Sequence, residues 1–441
     1  MSKKSLSGLS SFQILAYFRR GLFYSFLSIY LYYQLGLSVT ESTLFATFSM
    51  IASSIAQSTI WGTLADKVYN RKFMVFWSEI GAALCIFVVW WIHYEVYFMF
   101  SPYLAGWVIT FGLTFTEMVW SASNVAWTAL LSDLTPQNRR SSLMGSLSAI
   151  GGLGRILGVA SASLLFLFGN VYGGGFLYGP LFFVTCIVIV TTAFIILFTI
   201  NDSDLIYRTE SSSISTYENT ENYGENDHKF NSRKSFNSHF FLLFIISLAL
   251  VNFGRNSITQ ILNYFLISKF NASIDLIGSF EIISSISFIL AGIATPFLVK
   301  LLGDWRLYLV ITLEAIISLI GFVLSPNIYL AVIFSFGIRF VHVIIQSTSY
   351  SIVAAMVPSR LRGKYFGYYN TVFFLSFGIG GTLVTGPISD FMISVGYDPT
   401  TAYTTAFFSA AIIVLCGLLL GIYLFKNLRN YNMNEPNKIN S

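Results

Sequence analysis

The sequence predicts an all-α integral membrane protein of twelve transmembrane helices, built as two related six-helix bundles. Three observations predict it. Of 441 residues, 55% are hydrophobic and 10% charged, which is more apolar surface than a soluble core absorbs. Twelve apolar runs follow one another along the chain, each close to the ~20 residues that cross a bilayer as helix. The second six runs also repeat features of the first six. The runs are continuous and lack the short alternation of barrel strands, so helices are required.

In the first half, residues 1–200, the runs centre near Gly21, Ser53, Ala83, Thr110, Leu153 and Ile187. The first run contains Arg19 and Arg20, is too long for a signal-peptide core and lacks a small-residue cleavage site, so it is expected to stay in the mature protein. Residues 201–238 are rich in Ser, Asn, Glu and Asp. Such a stretch cannot offset its ordering entropy by burial and is expected to be a flexible cytoplasmic linker. The second half, 239–427, has runs near Val251, Ser287, Ile316, Gly337, Ser376 and Ile413, and 428–441 form a polar tail.

Lys and Arg are retained on the cytoplasmic side of helix ends. With the N-terminus inside, the inner loops hold Lys3, Lys4, Lys67, Arg71, Lys72, Arg139, Arg140, Lys300, Arg306, Arg360, Arg362 and Lys364, while the outer loops hold only Lys269. A multi-pass protein of the cell membrane with both termini cytoplasmic is expected. The net charge of +5 then reflects topology and implies no nucleic-acid partner. Cys85, Cys186 and Cys416 all lie in apolar runs and give neither a disulfide framework nor a metal-ligand spacing. No nucleophile triad or phosphate-binding loop stands out either, so no cofactor and no enzymatic activity are expected.

A shift of 235 residues lays Arg20 on Arg255, Ser38 on Ser273, Arg71 on Arg306 and Glu79 on Glu314. A shift of 222 lays Pro136 on Pro358, Arg140 on Arg362, Gly145 on Gly367 and Gly158 on Gly380. Parallel repeats of this kind mark secondary transporters whose site lies between the halves near the midplane.

Between the second and third runs the chain reads Gly62-Thr63-Leu64-Ala65-Asp66-Lys67-Val68-Tyr69-Asn70-Arg71-Lys72. This resembles the Gly-x-Leu-x-Asp-Arg-x-Gly-Arg-Lys loop of the major facilitator superfamily. Gly62 lets neighbouring helices approach, Asp66 can face a helix N-terminus, and Arg71 belongs to the basic end that stays inside. Lys67 stands for the first Arg and Asn70 for the second Gly, a position where Asn tolerates a left-handed turn. In the second half the equivalent loop is degenerate, with Leu301 at the position of Asp66. Pro136-Gln137-Asn138-Arg139-Arg140 and Pro358-Ser359-Arg360-Leu361-Arg362 resemble the superfamily's second recurrent inner loop. Gly145, Gly151, Gly152, Gly154 and Gly158 crowd the fifth run, a density that lets helices pack closely and slide.

The resemblance implies that the first, fourth, seventh and tenth helices line a central cavity. Periodicity agrees: Gln13, Tyr17, Arg20 and Tyr24 share one helical face, as do Glu117, Trp120 and Asn124. Asn252, Arg255 and Thr259 form a stripe on the seventh helix, and Arg339, His342 and Gln346 one on the tenth. A mid-membrane arginine costs about 2.5 to 3.5 kcal/mol on insertion scales, so these faces must look into protein or water. Arg155, on the fifth helix, is placed to meet Glu117 near mid-membrane, and Arg339 is an alternative partner for that acid. Arg19 is about 100° round the helix from Arg20 and is expected to pack. Glu79 and Glu314 are expected to anchor inner loops.

Four arginines, Arg20, Arg155, Arg255 and Arg339, stand against Glu117 in this set. Arginine forks recognise carboxylate and phosphate, and one arginine from each half resembles the superfamily's organophosphate:phosphate antiporter branch, whose first- and seventh-helix arginines bind phosphate. The expectation is a permease, symporter or antiporter, that moves a small organic anion by alternating access. Arg20, Arg255, Tyr24, Asn252, Thr259, Asn124, Arg339 and Gln346 are its expected ligands. Glu117, Arg155 and His342 form the coupling set, with His342 either carrying a proton or donating a hydrogen bond. A proton-coupled drug exporter or a sugar permease is the alternative, and a non-transporting sensor a remote one. The expected partners are the solute, co-transported protons and the lipid bilayer, around a monomer.

Overall fold

The computed structural model describes residues 3–61, 64, 71–134, 140–200, 238–357 and 362–434. Among them there is no strand. The first half consists of α1 (Lys3–Ile29), α2 (Val39–Ala56), α3 (Arg71–Met99), α4 (Pro102–Leu134), α5 (Arg140–Phe166) and α6 (Pro180–Thr199). The second consists of α7 (Ser238–Ser257), α8 (Ile274–Leu302), α9 (Asp304–Leu324), α10 (Ile328–Met356), α11 (Arg362–Gly380) and α12 (Pro399–Asn434). Each of the twelve expected run centres falls inside one of these helices. Gly62, Asp66, Pro136, Pro358 and the linker up to residue 237 lie outside the described residues; Arg71 opens α3.

Nine helices among the described residues are long and apolar enough to cross a membrane. α1, α2 and α4 are not among them, and composition gives the reason. α1 carries Arg19 and Arg20, α2 is dense in Ser and Thr, and α4 carries Glu117 and several hydroxyl residues. Such helices are tolerated when the bundle covers their polar faces. Conversely Ile187, Phe198, Ile293 and Phe297 stand exposed, an apolar surface suited to acyl chains.

The helix starts are written in the sequence. Ser38 and Glu41 form a capping box at α2: the Ser38 hydroxyl accepts from the Glu41 amide at 3.2 Å, and the Glu41 carboxylate accepts from the Ser38 amide at 2.8 Å. Ser273, its repeat equivalent, accepts from the Leu276 amide at 3.3 Å and starts α8. Asn327 does the same for α10. α7 ends at Ser257 and resumes as Leu262–Phe270 after a turn. Beside that break α11 runs on through a π-helical segment, Gly381–Thr385, whose Thr385 hydroxyl donates to the Ser257 carbonyl at 2.5 Å. The last part of α11 is Gly386–Ser394.

The glycines of α5 set its distance from α1. A Cβ on Gly154 or Gly158 would run into the backbone carbonyls of Ile14 and Phe18. Gly380, the repeat equivalent of Gly158, lies in the same way against Phe253 and Ser257 of α7. The halves meet along two seams. One is α5 against α8, where Gly152 meets Ile289 and Gly278 meets Ser163; the other is α2 against α11, where Gly378 meets Ala46 and Met50.

Candidate functional site

On α7, Asn252 and Arg255 are one turn apart, and Arg255 Nη2 donates to Asn252 Oδ1 at 2.9 Å. Both are buried, and Arg255 Nε and Asn252 Nδ2 have no hydrogen-bond partner among the described residues. Arg339 and His342 share a face of α10 by the same spacing. Arg339 Nη2 donates to Glu281 Oε1 on α8 at 3.3 Å, and Arg155 Nη2 on α5 lies 3.5 Å from Glu281 Oε2. The carboxylate of Glu281 thus joins arginines from both halves. This corrects the expected pairing: Arg155 and Arg339 converge on Glu281, and neither forms an ion pair with Glu117.

His342 sits among the rings of Phe288, Phe373 and Phe377, with centroids 5.5, 6.4 and 5.2 Å away. Its Nδ1 is buried without a partner. Arg255, Arg339 and Arg155 are the charges within its electrostatic reach. One acid, three arginines and an imidazole therefore share one neighbourhood.

The first half presents a second group. Tyr24 Oη donates to Glu117 Oε1 at 2.6 Å. Arg20, in mid-helix, is nevertheless exposed, with its guanidinium 5.1 Å from the Tyr17 ring centroid. It lies within electrostatic reach of Arg155. Arg19 packs as expected: it is buried with its guanidinium carbon 2.8 Å from the Trp120 ring centroid. Trp120 Nε1 and Ser123 Oγ donate to Glu79 Oε1 at 2.7 and 2.5 Å. Trp120 therefore turns toward α1 and α3 rather than a cavity, and Glu79 ties α3 to α4 within the bundle instead of anchoring an inner loop. Glu314 likewise accepts from Ser318, one turn along α9.

The remaining expected residues are more dispersed. Thr259 lies in the turn after α7, off the stripe of Asn252 and Arg255. Gln346 is exposed and its carbonyl accepts from Tyr369 Oη at 3.0 Å, while Asn124 is half-buried on α4. Glu281 was missed although it carries a signal, an acid seven residues into an apolar run. An ionisable residue at such a place is a functional candidate by default.

Among the described residues, hydrogen bonds between the halves concentrate at the end of the bundle away from Lys3 and Asn434, a distal closure. Asp390 Oδ1 and Oδ2 accept from the Val39 and Thr40 amides, each at 2.8 Å. Tyr264 Oη donates to the Ser28 carbonyl at 2.7 Å and lies 2.8 Å from Ser42 Oγ, and Asn263 Nδ2 donates to the Ser25 carbonyl at 3.2 Å. Thr382 Oγ1 lies 2.6 and 2.7 Å from the hydroxyls of Thr43 and Thr47, and Thr47 also donates to the Gly378 carbonyl.

The family model of the Major Facilitator Superfamily matches residues 9–381. The chain belongs to the Major Facilitator Superfamily. As a member it is a transporter of small solutes and not an enzyme. Among curated proteins none matches its sequence. Solved superfamily structures match in fold. The nucleoside transporter NupG is 14% identical at a TM-score of 0.69, with 96% of this chain and 100% of that one covered. A bacterial homologue of the human lysosomal transporter Spinster, inward-facing and occupied, gives 14% identity and 0.67 over 97% and 98%. A bacterial homologue of the iron transporter ferroportin gives 13% and 0.67 in its inward-facing state over 96% and 99%, but 0.59 in its outward-facing state.

Proposed function

We propose that this superfamily member carries small organic anions, carboxylates or phosphorylated metabolites, by alternating access. One observation carries the reading: Arg255 is buried without an acidic partner, and its Nε, Asn252 Nδ2 and His342 Nδ1 are left unpaired beside Arg339. A buried cation with idle donors is costly unless something anionic completes it. Three arginines against the single Glu281 leave a positive surplus, and guanidinium forks suit carboxylate and phosphate oxygens. The solved neighbours include transporters of nucleosides and of iron, so fold alone leaves the solute class to the site.

In this reading Arg255, Asn252 and Arg339 bind the anion from the second half, and Arg20 completes the site from the first. An anion that takes over Arg155 and Arg339 competes with Glu281, loosening the α5–α8 seam and linking occupancy to the rocking of the halves. The Lys and Arg distribution supports cytoplasmic termini in the cell membrane, which makes the hydrogen-bonded end of the bundle the outer one. The carrier works as a monomer in the bilayer.

The test is a thermal-shift screen of the purified protein in detergent against carboxylates, phosphates, sugars and cationic drugs, because a ligand of the folded state raises the melting temperature. Stabilisation is expected from anions and should be lost in Arg255→Ala and Arg20→Ala. A response confined to hydrophobic cations would overturn the anion reading and move Glu117 to the centre of the site.

A further inference from the structure

The first half contains a buried charge cluster that the anion site does not use. Glu79 of α3 and Arg19 of α1 are each 2% exposed. All three nitrogens of Arg19 are buried without a hydrogen-bond partner, although both Glu79 and Glu117 lie within electrostatic reach. A guanidinium stacked on Trp120, lining one cavity with Glu79 and hydrogen-bonded to neither acid, is poised rather than locked. Neutral donors hold each acid instead: Trp120 and Ser123 on Glu79, and Tyr24 on Glu117.

We propose that Glu79, Arg19 and Glu117 form a one-proton site that fills together with the anion at Arg20. The charge count gives the coupling, and this part rests on the anion reading above. Two carboxylates face two guanidiniums, Arg19 and Arg20, and among the described residues the polar groups that bond them or line the cavity with them are neutral: Tyr24 on α1, Trp120 and Ser123 on α4 and Thr192 on α6, beside the apolar Val188 and Ile189. Arg19 is buried and stays. Arg20 is exposed, so it is the one that an incoming anion neutralises. The cluster then holds one uncompensated negative charge away from water, which favours uptake of one proton. By linkage, the proton raises anion affinity in return. A metal cation fits poorly, since the carboxylates already accept three hydrogen bonds and a guanidinium lies within their electrostatic reach.

Replacing Arg20 by a neutral residue imitates the bound anion, so the proton site is testable without any ligand. Infrared difference spectra of the full-length protein, taken between pH 6 and 8, report the carbonyl stretch of a protonated buried carboxyl. Arg20→Gln is expected to gain one such band per protein, and Arg20→Lys, which keeps the charge, none. Adding Glu79→Gln or Glu117→Gln to Arg20→Gln should each abolish the band, because either removes the surplus charge. The half-buried Glu117 variant serves if the Glu79 variant does not fold. A band absent from Arg20→Gln, or present and indifferent to Glu117→Gln, overturns the site. An unsubstituted protein that no anion stabilises in the thermal screen, with the band present in Arg20→Gln, overturns the anion reading alone.

Discussion

The distal closure turns on Asp390, and its removal makes a quantitative prediction. Its carboxylate accepts the Val39 and Thr40 amides, the first two of α2, across the boundary between the halves. The next amide, that of Glu41, is taken by Ser38, and that of Ser42 by the Ser38 carbonyl, so Asp390 completes a cap that begins within the first half. Losing a capping side chain costs about 1 kcal/mol, and removing a negative charge from a helix N-terminus about 0.3–1 kcal/mol. Once the end opens, water solvates the same amides, so nearly all of this cost falls on the closed state. Asp390→Ala should therefore shift the closed-to-open ratio by about 2 kcal/mol, roughly 30-fold. Asp390→Asn should do almost as much, because its amide group turns a donor toward one of the two N–H groups. The assay is electron–electron distance measurement between spin labels at Phe100 and Tyr329, exposed positions of the two halves at this end, after replacing Cys416, the exposed thiol of three. A growing long-distance population is expected in both variants. Unchanged distances in a folded Asp390→Ala protein would refute the reasoning.

Three further outcomes follow from the packing. Glu281→Gln leaves the half-buried Arg155 and Arg339 without their acid, a loss below the about 3–5 kcal/mol of a fully buried pair, so the melting temperature in detergent should fall, and Glu281→Leu combined with Arg155→Met should recover part of it. Gly158→Val drives a side chain into the Phe18 carbonyl at about 1–3 kcal/mol and should cut the yield of folded protein, which size-exclusion chromatography reads directly. At the start of α12, the Thr401 hydroxyl and then the Thr401 amide, donating at 2.6 and 3.0 Å, hold the Asp398 carboxyl below its ordinary range. A depressed value means that its stabilisation is complete above the ordinary aspartate range and is lost as pH falls through the lowered value. Melting curves against pH should show that acid-side loss shrink in Asp398→Asn.

The helices were legible because apolar run length dominates a membrane sequence; Ser38 and Ser273, matched in the sequence only as a repeat pair, prove to cap α2 and α8. The site was legible in part. Helical spacing correctly put Asn252 with Arg255 and Arg339 with His342, since each pair is one turn apart. It could not say which neighbour a face meets, so Trp120, three residues from Glu117, read as cavity lining when it packs on Arg19 and Glu79. Periodicity also assumed an unbroken seventh helix, and the turn after Ser257 takes Thr259 off the stripe. Glu281 escaped because the superfamily resemblance puts the cavity on the first, fourth, seventh and tenth helices, whereas its carboxylate reaches Arg155 and Arg339 from α8. Asp390 escaped for another reason: a lone acid near a helix end resembles any loop charge until the partner half is in place.

The repeat also shows why the two seams between the halves differ. By the two shifts, Arg155 corresponds to Phe377 and Glu281 to Ala46. The charged contact of the α5–α8 seam has therefore been replaced in the α2–α11 seam by threonine hydroxyls and a glycine carbonyl. Neutral bonds of that kind exchange readily with water, which suits a seam that must open and reseal. A buried ion pair does not, because each partner left alone is costly; in the proposed cycle a bound anion supplies the replacement charge. The same comparison sets Glu117 opposite Arg339, so equivalent positions carry opposite signs in the two halves.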